Sequence, residues 1–199
     1  DVFHQMSTDL RKQVLAEAPI GKLAEVLQHL PPDDLADLIG DVPEAQRAQL
    51  MALRDRESKE ELETLLKYSP DSAGGIMTTE FFALPHSLSV EEAIQNIRSR
   101  EDVEMVFYLY LVDEAGKLVG VVSLRQLLIA RPGTLLHSIM NRRVIKVTTD
   151  TDQVRVAMLV DKYHLLAMPV VDAEDVLVGM VTVDDVLDDR ALDRGNRAG

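Results

Sequence analysis

One internal repeat constrains this chain more than any other feature. "YLVDEAGKLVGVVSLRQLL" (110–128) realigns on "PVVDAEDVLVGMVTVDDVL" (169–187). Asp113 and Asp172, Gly120 and Gly179, and Ser123 and Thr182 thereby fall 59 residues apart. A second pair of segments precedes them. "IMTTEFFALPHSLSVEEAI" (76–94) matches "IMNRRVIKVTTDTDQVRVAM" (139–158), with Met77 and Met140 63 residues apart. Two copies of one pattern fold into two copies of one supersecondary unit. "LYLVDEAGKLVGVVS" reads as strand, Gly-containing turn and strand. Ser87 and Thr149 to Thr151 stand where helix caps are needed, since their oxygens can accept the amides that a first helical turn leaves unpaired. Each copy therefore reads as β-α-β-β-α.

Residues 1 to 70 follow a different pattern. Leu23, Val26, Leu27 and Leu30 recur at the spacing of an amphipathic helix, and Pro31-Pro32 stops it. Asp33 is placed to cap the next helix, with Leu35, Leu38 and Ile39 on its buried face, and Gly40 and Pro43 to end it. "KLAEVLQHLPP" and "DLADLIGDVPE" are near-copies, so short proline-punctuated helices form a small array. A longer helix, roughly Lys59 to Tyr68, leads out of it.

Composition excludes several functions. Net charge is −13, from 21 basic against 34 acidic residues, which disfavours nucleic acid and favours a cation-binding surface. The absence of cysteine removes disulfides and thiolate metal sites. The apolar run Val106 to Val112 is far short of the roughly 18–20 residues a membrane helix needs. His4, His29, His86, His137 and His164 form no spaced ligand cluster, and Gly74-Gly75 lacks the lysine of a phosphate loop and reads as a turn at the domain junction. No Ser-His-Asp or general acid–base constellation is present, and the chain is read as a non-enzyme. It opens at Asp1 without methionine, and is expected to be a piece of a longer protein.

The repeated unit, with its apolar-Val-Val-Asp turn, Gly-apolar-apolar pair and Ser/Thr-x-x-Asp, resembles the CBS motif, and the pair resembles a Bateman module. The whole chain goes further. "YSPDSAGGIMTTEFFALP", joining a proline-broken helical region to two such motifs, and "DDLADLI" resemble the cytosolic region of MgtE-type magnesium transporters. The resemblance implies a mixed α+β chain: an all-helical N-terminal domain, truncated at its start, over 1–70, a first CBS motif over 71–136, a second over 137–190, and a tail over 191–199. It also implies a homodimer formed through the CBS helices and a transmembrane pore domain beyond this chain, on the cytoplasmic side of which the region works.

The carboxylates acquire meaning in that context. Asp184, Asp185, Asp188 and Asp189 place four carboxylates within six residues, and the first three crowd the start of the last helix, where the helix dipole partly relieves them. Asp33 and Asp37 stand one helical turn apart. Two unit charges 4 Å apart repel by about 4 kcal/mol at an effective dielectric of 20. Mg2+ prefers six oxygen ligands and keeps several waters, so it suits a loose surface between carboxylates. The resemblance implies that Asp33 and Asp37 face Asp185 and Asp188 across a bridging Mg2+. It also carries Asp152 over as a ligand of a further metal site, although Val154 and His164 occupy the positions of two other acidic ligands there. Read bottom-up, acidic residues at a helix start are ordinarily caps. An adenine nucleotide such as ATP is the alternative ligand. Thr182 and Asp185 keep the family's ribose and phosphate pattern, Gln126 departs from it in the first motif, and Tyr108 matches the adenine position, where a core strand residue is the plainer reading. The rival function is a stand-alone adenine-nucleotide sensor; a purely structural interaction module is a third.

Overall fold

A computed structural model describes residues 8–27, 30, 32–52, 59, 62, 64–99 and 108–186. The chain divides into two compact units, 1–70 and 71–199.

The first unit is helical in its described residues: α1 (Thr8–Glu17), α2 (Ile20–Leu27), α3 (Pro32–Asp41) and α4 (Glu44–Ala52). Helices α1 and α3 pack together, as do α2 and α4. Leu15, Leu23, Leu27, Leu38, Ile39 and Leu50 form the buried interior, whereas Val26 is 44% exposed, so the buried stripe of α2 is narrower than its spacing suggests. Helix α3 begins at Pro32, whose fixed φ and missing N–H suit a first helical position. Asp33 therefore lies inside the first turn and is not the cap. Gly40 does not stop α3, which runs on to Asp41. The Arg47 guanidinium, reaching back from α4, donates to the Gly40 carbonyl at 2.8 Å and the Val42 carbonyl at 3.4 Å, satisfying acceptors that a helix end leaves open. Of the expected helix over 59–68, residues 59, 62, 64 and 65 are helical and 66–67 are turn.

The second unit holds the repeat. Its first copy is β1 (Ala83–Pro85), α5 (Val90–Ser99), β2 (Tyr108–Val112), β3 (Leu118–Ser123) and α6 (Leu124–Ile129). A short α7 (Leu136–Ile139) leads to β4 (Val147–Thr148), α8 (Gln153–Tyr163), β5 (Ala167–Val171) and β6 (Leu177–Thr182), with residues 183–186 helical after it. Each copy makes a three-stranded sheet, ordered β1-β2-β3 and β4-β5-β6. In each the first pairing is parallel and the second antiparallel, and each antiparallel pair carries a register slip, at Leu111/Val112 and Val170/Val171. Pro169 lies in the central strand β5, but β4 pairs only with Val170 and Val171, so the missing N–H of proline costs no ladder bond to β4.

The repeated side chains have repeated tasks. Asp113 accepts from the amides of Ala115 and Lys117, and Asp172 from those of Glu174 and Val176, all at 2.9 Å, closing the two hairpin turns identically. The copies also exchange their leading segments. Thr78 pairs with Met180 of β6, and Asn141 with Val121 of β3. Met140 consequently packs on Gly120, and Met77 on Gly179. Each leader thus completes the sheet of the other copy, which is why the Ile-Met and Leu-Val-Gly elements recur together.

Two caps differ from expectation. Ser89, not Ser87, caps α5: its hydroxyl accepts from the Glu92 amide at 3.3 Å while the Glu92 carboxylate accepts from the Ser89 amide at 2.8 Å. Asp152, not Thr149 to Thr151, caps α8, accepting from the Val154 amide at 2.8 Å and the Arg155 amide at 3.4 Å. The Thr151 hydroxyl instead accepts from the Thr148 amide at 3.1 Å. Segment 71–78 is stitched to the second copy: the amides of Ala73 and Gly74 donate to the carbonyls of Thr151 and Thr149, at 2.7 and 2.8 Å. Among the described residues no helix is long and apolar enough to cross a membrane.

Candidate ligand and metal sites

A cleft of about 160 Å³ opens where the two sheets meet. Tyr108 and Tyr110 of β2 and Val121 of β3 wall one side, and Ala167 and Pro169 of β5 the other. Arg143, exposed, stands at its polar edge with Asn141, whose side-chain oxygen accepts from the Arg143 amide at 2.9 Å. Tyr108 and Tyr110 share a strand face because side chains alternate with period two. Tyr108 is half-buried, and so serves both the core cluster and the cleft wall. Tyr110 is only 2% exposed, and its hydroxyl has no hydrogen-bond partner among the described residues. Desolvation, aided by the neighbouring Tyr108, holds the Tyr110 phenol above its ordinary range, so it stays protonated.

Thr182 and Asp185 do not line this cleft. The Thr182 amide and hydroxyl both donate to Asp185 Oδ2, at 2.9 and 2.6 Å. That is a capping arrangement at the helix following β6, and it fixes the Asp185 carboxylate at the helix N-terminus. The first copy builds the same device from Ser123 and Gln126: the Ser123 amide and hydroxyl donate to Gln126 Oε1 at 3.0 and 2.9 Å. The Gln126 amide nitrogen then donates to the Ile139 carbonyl at 3.2 Å, a bond no carboxylate could make. The substitution of glutamine for an acid is thus a structural tie to α7. Thr182 sits across the β5–β6 pair from Ala167, which does line the cleft, so the cap borders the site without entering it.

Asp33 and Asp37 lie one turn apart on α3, their side chains outside the described residues, as is Asp188 altogether. Asp184 is exposed beside Asp185. Asp152 and His164 cap opposite ends of the 11-residue α8, about 18 Å apart at 1.5 Å per residue, so within one chain they do not converge on one ion. His164 takes the left-handed conformation that closes the helix, with φ 51°, and Val154 is 59% exposed. Among the described residues no group of three or more His, Asp or Glu side chains is close enough to hold a metal. Sequence reasoning passed over Tyr110, Asn141 and Arg143. The signals were the Tyr-x-Tyr alternation and an arginine in a strongly acidic chain.

Residues 1–71 match the MgtE intracellular N domain, and residues 73–133 and 136–191 each match the CBS domain. The crystal structure of the cytosolic domain of the Mg2+ channel MgtE in complex with ATP superposes with a TM-score of 0.88 at 43% identity, over 94% of this chain and 77% of that one. The chain belongs to the MgtE family. It is 42% identical to the magnesium transporter MgtE of Thermus thermophilus over 94% of its own length and 48% of the relative's. Against the MgtE of Bacillus subtilis it is 33% identical over 94% of its own length and 42% of the relative's. The chain thus spans about half or less of these MgtE transporters, in the part built of the N domain and the CBS pair.

Proposed function

We propose that this region is the magnesium-responsive regulator of an MgtE transporter, working on the cytoplasmic face of the membrane, and that Mg2+ bridges Asp33 and Asp37 of the helical unit to Asp185 and Asp188 of the second CBS motif, closing the pore of the full-length protein. The membership of an acidic chain in a family of magnesium transporters carries this reading. The donor chemistry supports it. Carboxylates suit a hard, water-retaining cation, and Asp185 is held in a fixed orientation by Thr182. At low Mg2+ the acidic groups repel and the units separate; at high Mg2+ the ion favours the closed arrangement, a population shift driven by differential affinity. The role is regulatory, not catalytic. Solution scattering tests it: the radius of gyration falls as Mg2+ rises into the millimolar range, and a folded protein whose radius stays constant contradicts it. Asp152 is the further proposed Mg2+ ligand; since His164 lies at the far end of α8, its other ligands must come from elsewhere.

An adenine nucleotide such as ATP is a second ligand of the same region. The cleft with its tyrosine wall and Arg143 edge favours it, together with the ATP bound by the similar MgtE cytosolic domain. Its base lies toward Tyr108 and its phosphates toward Arg143. Thr182 and Asp185 border that cleft, and the Asp185 carboxylate, oriented by the Thr182 donors, is the acceptor for a ribose hydroxyl.

The assembly is a homodimer through the CBS helices. The spacing of Val156, Leu159 and Val160 offers more apolar side chains than one core face needs, but Val156 and Val160 are buried within the unit at 0% and 4% exposure and Leu159 is half-buried. The apolar face left over is made instead by Val154 and Met158 of α8 and Leu128 and Ile129 of α6, exposed by 55–69%. Sedimentation gives a dimer that persists in chelator, and Met158→Glu shifts it toward monomer. A wild-type monomer at micromolar concentration contradicts the assembly.

A further inference from the structure

The cleft between the two sheets is polarised. Its lining is apolar at Val121, Ala167 and Pro169, beside the buried Tyr110 side chain, and the one charged side chain among its described lining residues, Arg143, is exposed. A buried hydroxyl without a partner costs a folded protein stability, because water has been taken from it and nothing given back. Tyr110 is such a group: 2% exposed, on the cleft wall, and without a hydrogen-bond partner among the described residues. A valine or phenylalanine would fill a strand core without that cost.

We propose that Tyr110 is the base-reading residue of the cleft, its hydroxyl donating to a ring nitrogen of a bound purine; this rests on the nucleotide reading above. The direction of the bond follows from the protonated state that burial enforces. The choice of the base as its acceptor follows from the polarity of the site. A nucleotide entering with its phosphates toward Arg143 carries the flat base to the apolar end. There ring nitrogens are the acceptors a buried donor can reach. The ligand thereby repairs the unpaired hydroxyl, so part of the binding free energy is stability withheld from the free protein.

Two opposite consequences separate this role from a merely structural one. In the free protein Tyr110→Phe leaves the melting temperature unchanged or raises it, since an unpaired buried hydroxyl is removed. In the complex it loses a hydrogen bond, and affinity for ATP, measured by titration calorimetry in chelator, falls about tenfold, or about 1.4 kcal/mol. Wild type also discriminates against one of the 1-, 3- or 7-deaza analogues of ATP, and Tyr110→Phe does not. If Tyr110→Phe binds ATP within twofold of wild type while Tyr108→Ala and Arg143→Gln weaken it, the nucleotide reading stands and the assignment of Tyr110 is overturned. If wild type binds no ATP, or none of the three substitutions weakens it, the nucleotide reading fails and this assignment with it.

Discussion

Gly179→Ala destabilises the protein by about 3 kcal/mol, the upper end of what overpacking a closed site costs. A Cβ there would stand 2.6 Å from Met77 Sδ, 2.9 Å from Met77 Cγ and 2.9 Å from the Thr78 carbonyl oxygen. The methionine could turn aside, being unbranched. The carbonyl could not: Thr78 accepts from the Met180 amide at 3.0 Å and donates to the Met180 carbonyl at 2.9 Å, which pins it to the strand carrying residue 179. Gly120→Ala is the internal control. Its three nearest atoms all belong to the Met140 side chain, at 2.5, 2.9 and 3.2 Å, so the neighbour can give and the cost stays near 1 kcal/mol. Urea denaturation of the two variants side by side checks this. Equal losses would contradict the pinned-backbone account, and a milder effect at Gly179 would reverse it.

That pair also shows how far the sequence could be read. The 59-residue offset and the Gly-apolar-apolar element announced two like units, and the structure builds two like sheets with like register slips. The exchange of leaders between copies was not legible, because periodicity along a strand says nothing about which neighbour it pairs with. Caps were legible as a need but not as a position: several oxygens within four residues can serve, and Ser89 and Asp152 win because Glu92 reciprocates at one helix and two amides converge at the other. Gln126 looked like a lost ligand; its tie to the Ile139 carbonyl depends on a residue 13 positions away and could not be seen locally. The Tyr110 hydroxyl was hidden for a similar reason, since a tyrosine in an apolar strand looks like core until its oxygen is found without a partner.

Asp33→Asn and Asp185→Asn each abolish most of the Mg2+-dependent compaction, and the double variant loses little more than either alone. Non-additivity of this kind is what two ligands of one ion give. Without metal the variants are more compact than wild type, because one charge of a repelling set is gone. Asparagine at 185 keeps an oxygen for the Thr182 donors, so stability changes by about 1 kcal/mol at most. The nucleotide reading separates cleanly here. Asp33 lies in the helical unit, so its substitution leaves ATP binding untouched. Were Asp33 and Asp185 only helix-start acids, both variants would lose a little stability and respond to Mg2+ as wild type does.

Hydrogen exchange on residues 31–41 and 179–189, with and without Mg2+, tests the bridge most directly. In wild type, Mg2+ should slow exchange in both segments together, over the same concentration range, and Asp33→Asn or Asp185→Asn should abolish the protection in both. Protection that appears in one segment without the other, or that survives in the second segment when the first has lost its aspartate, would contradict a shared ion.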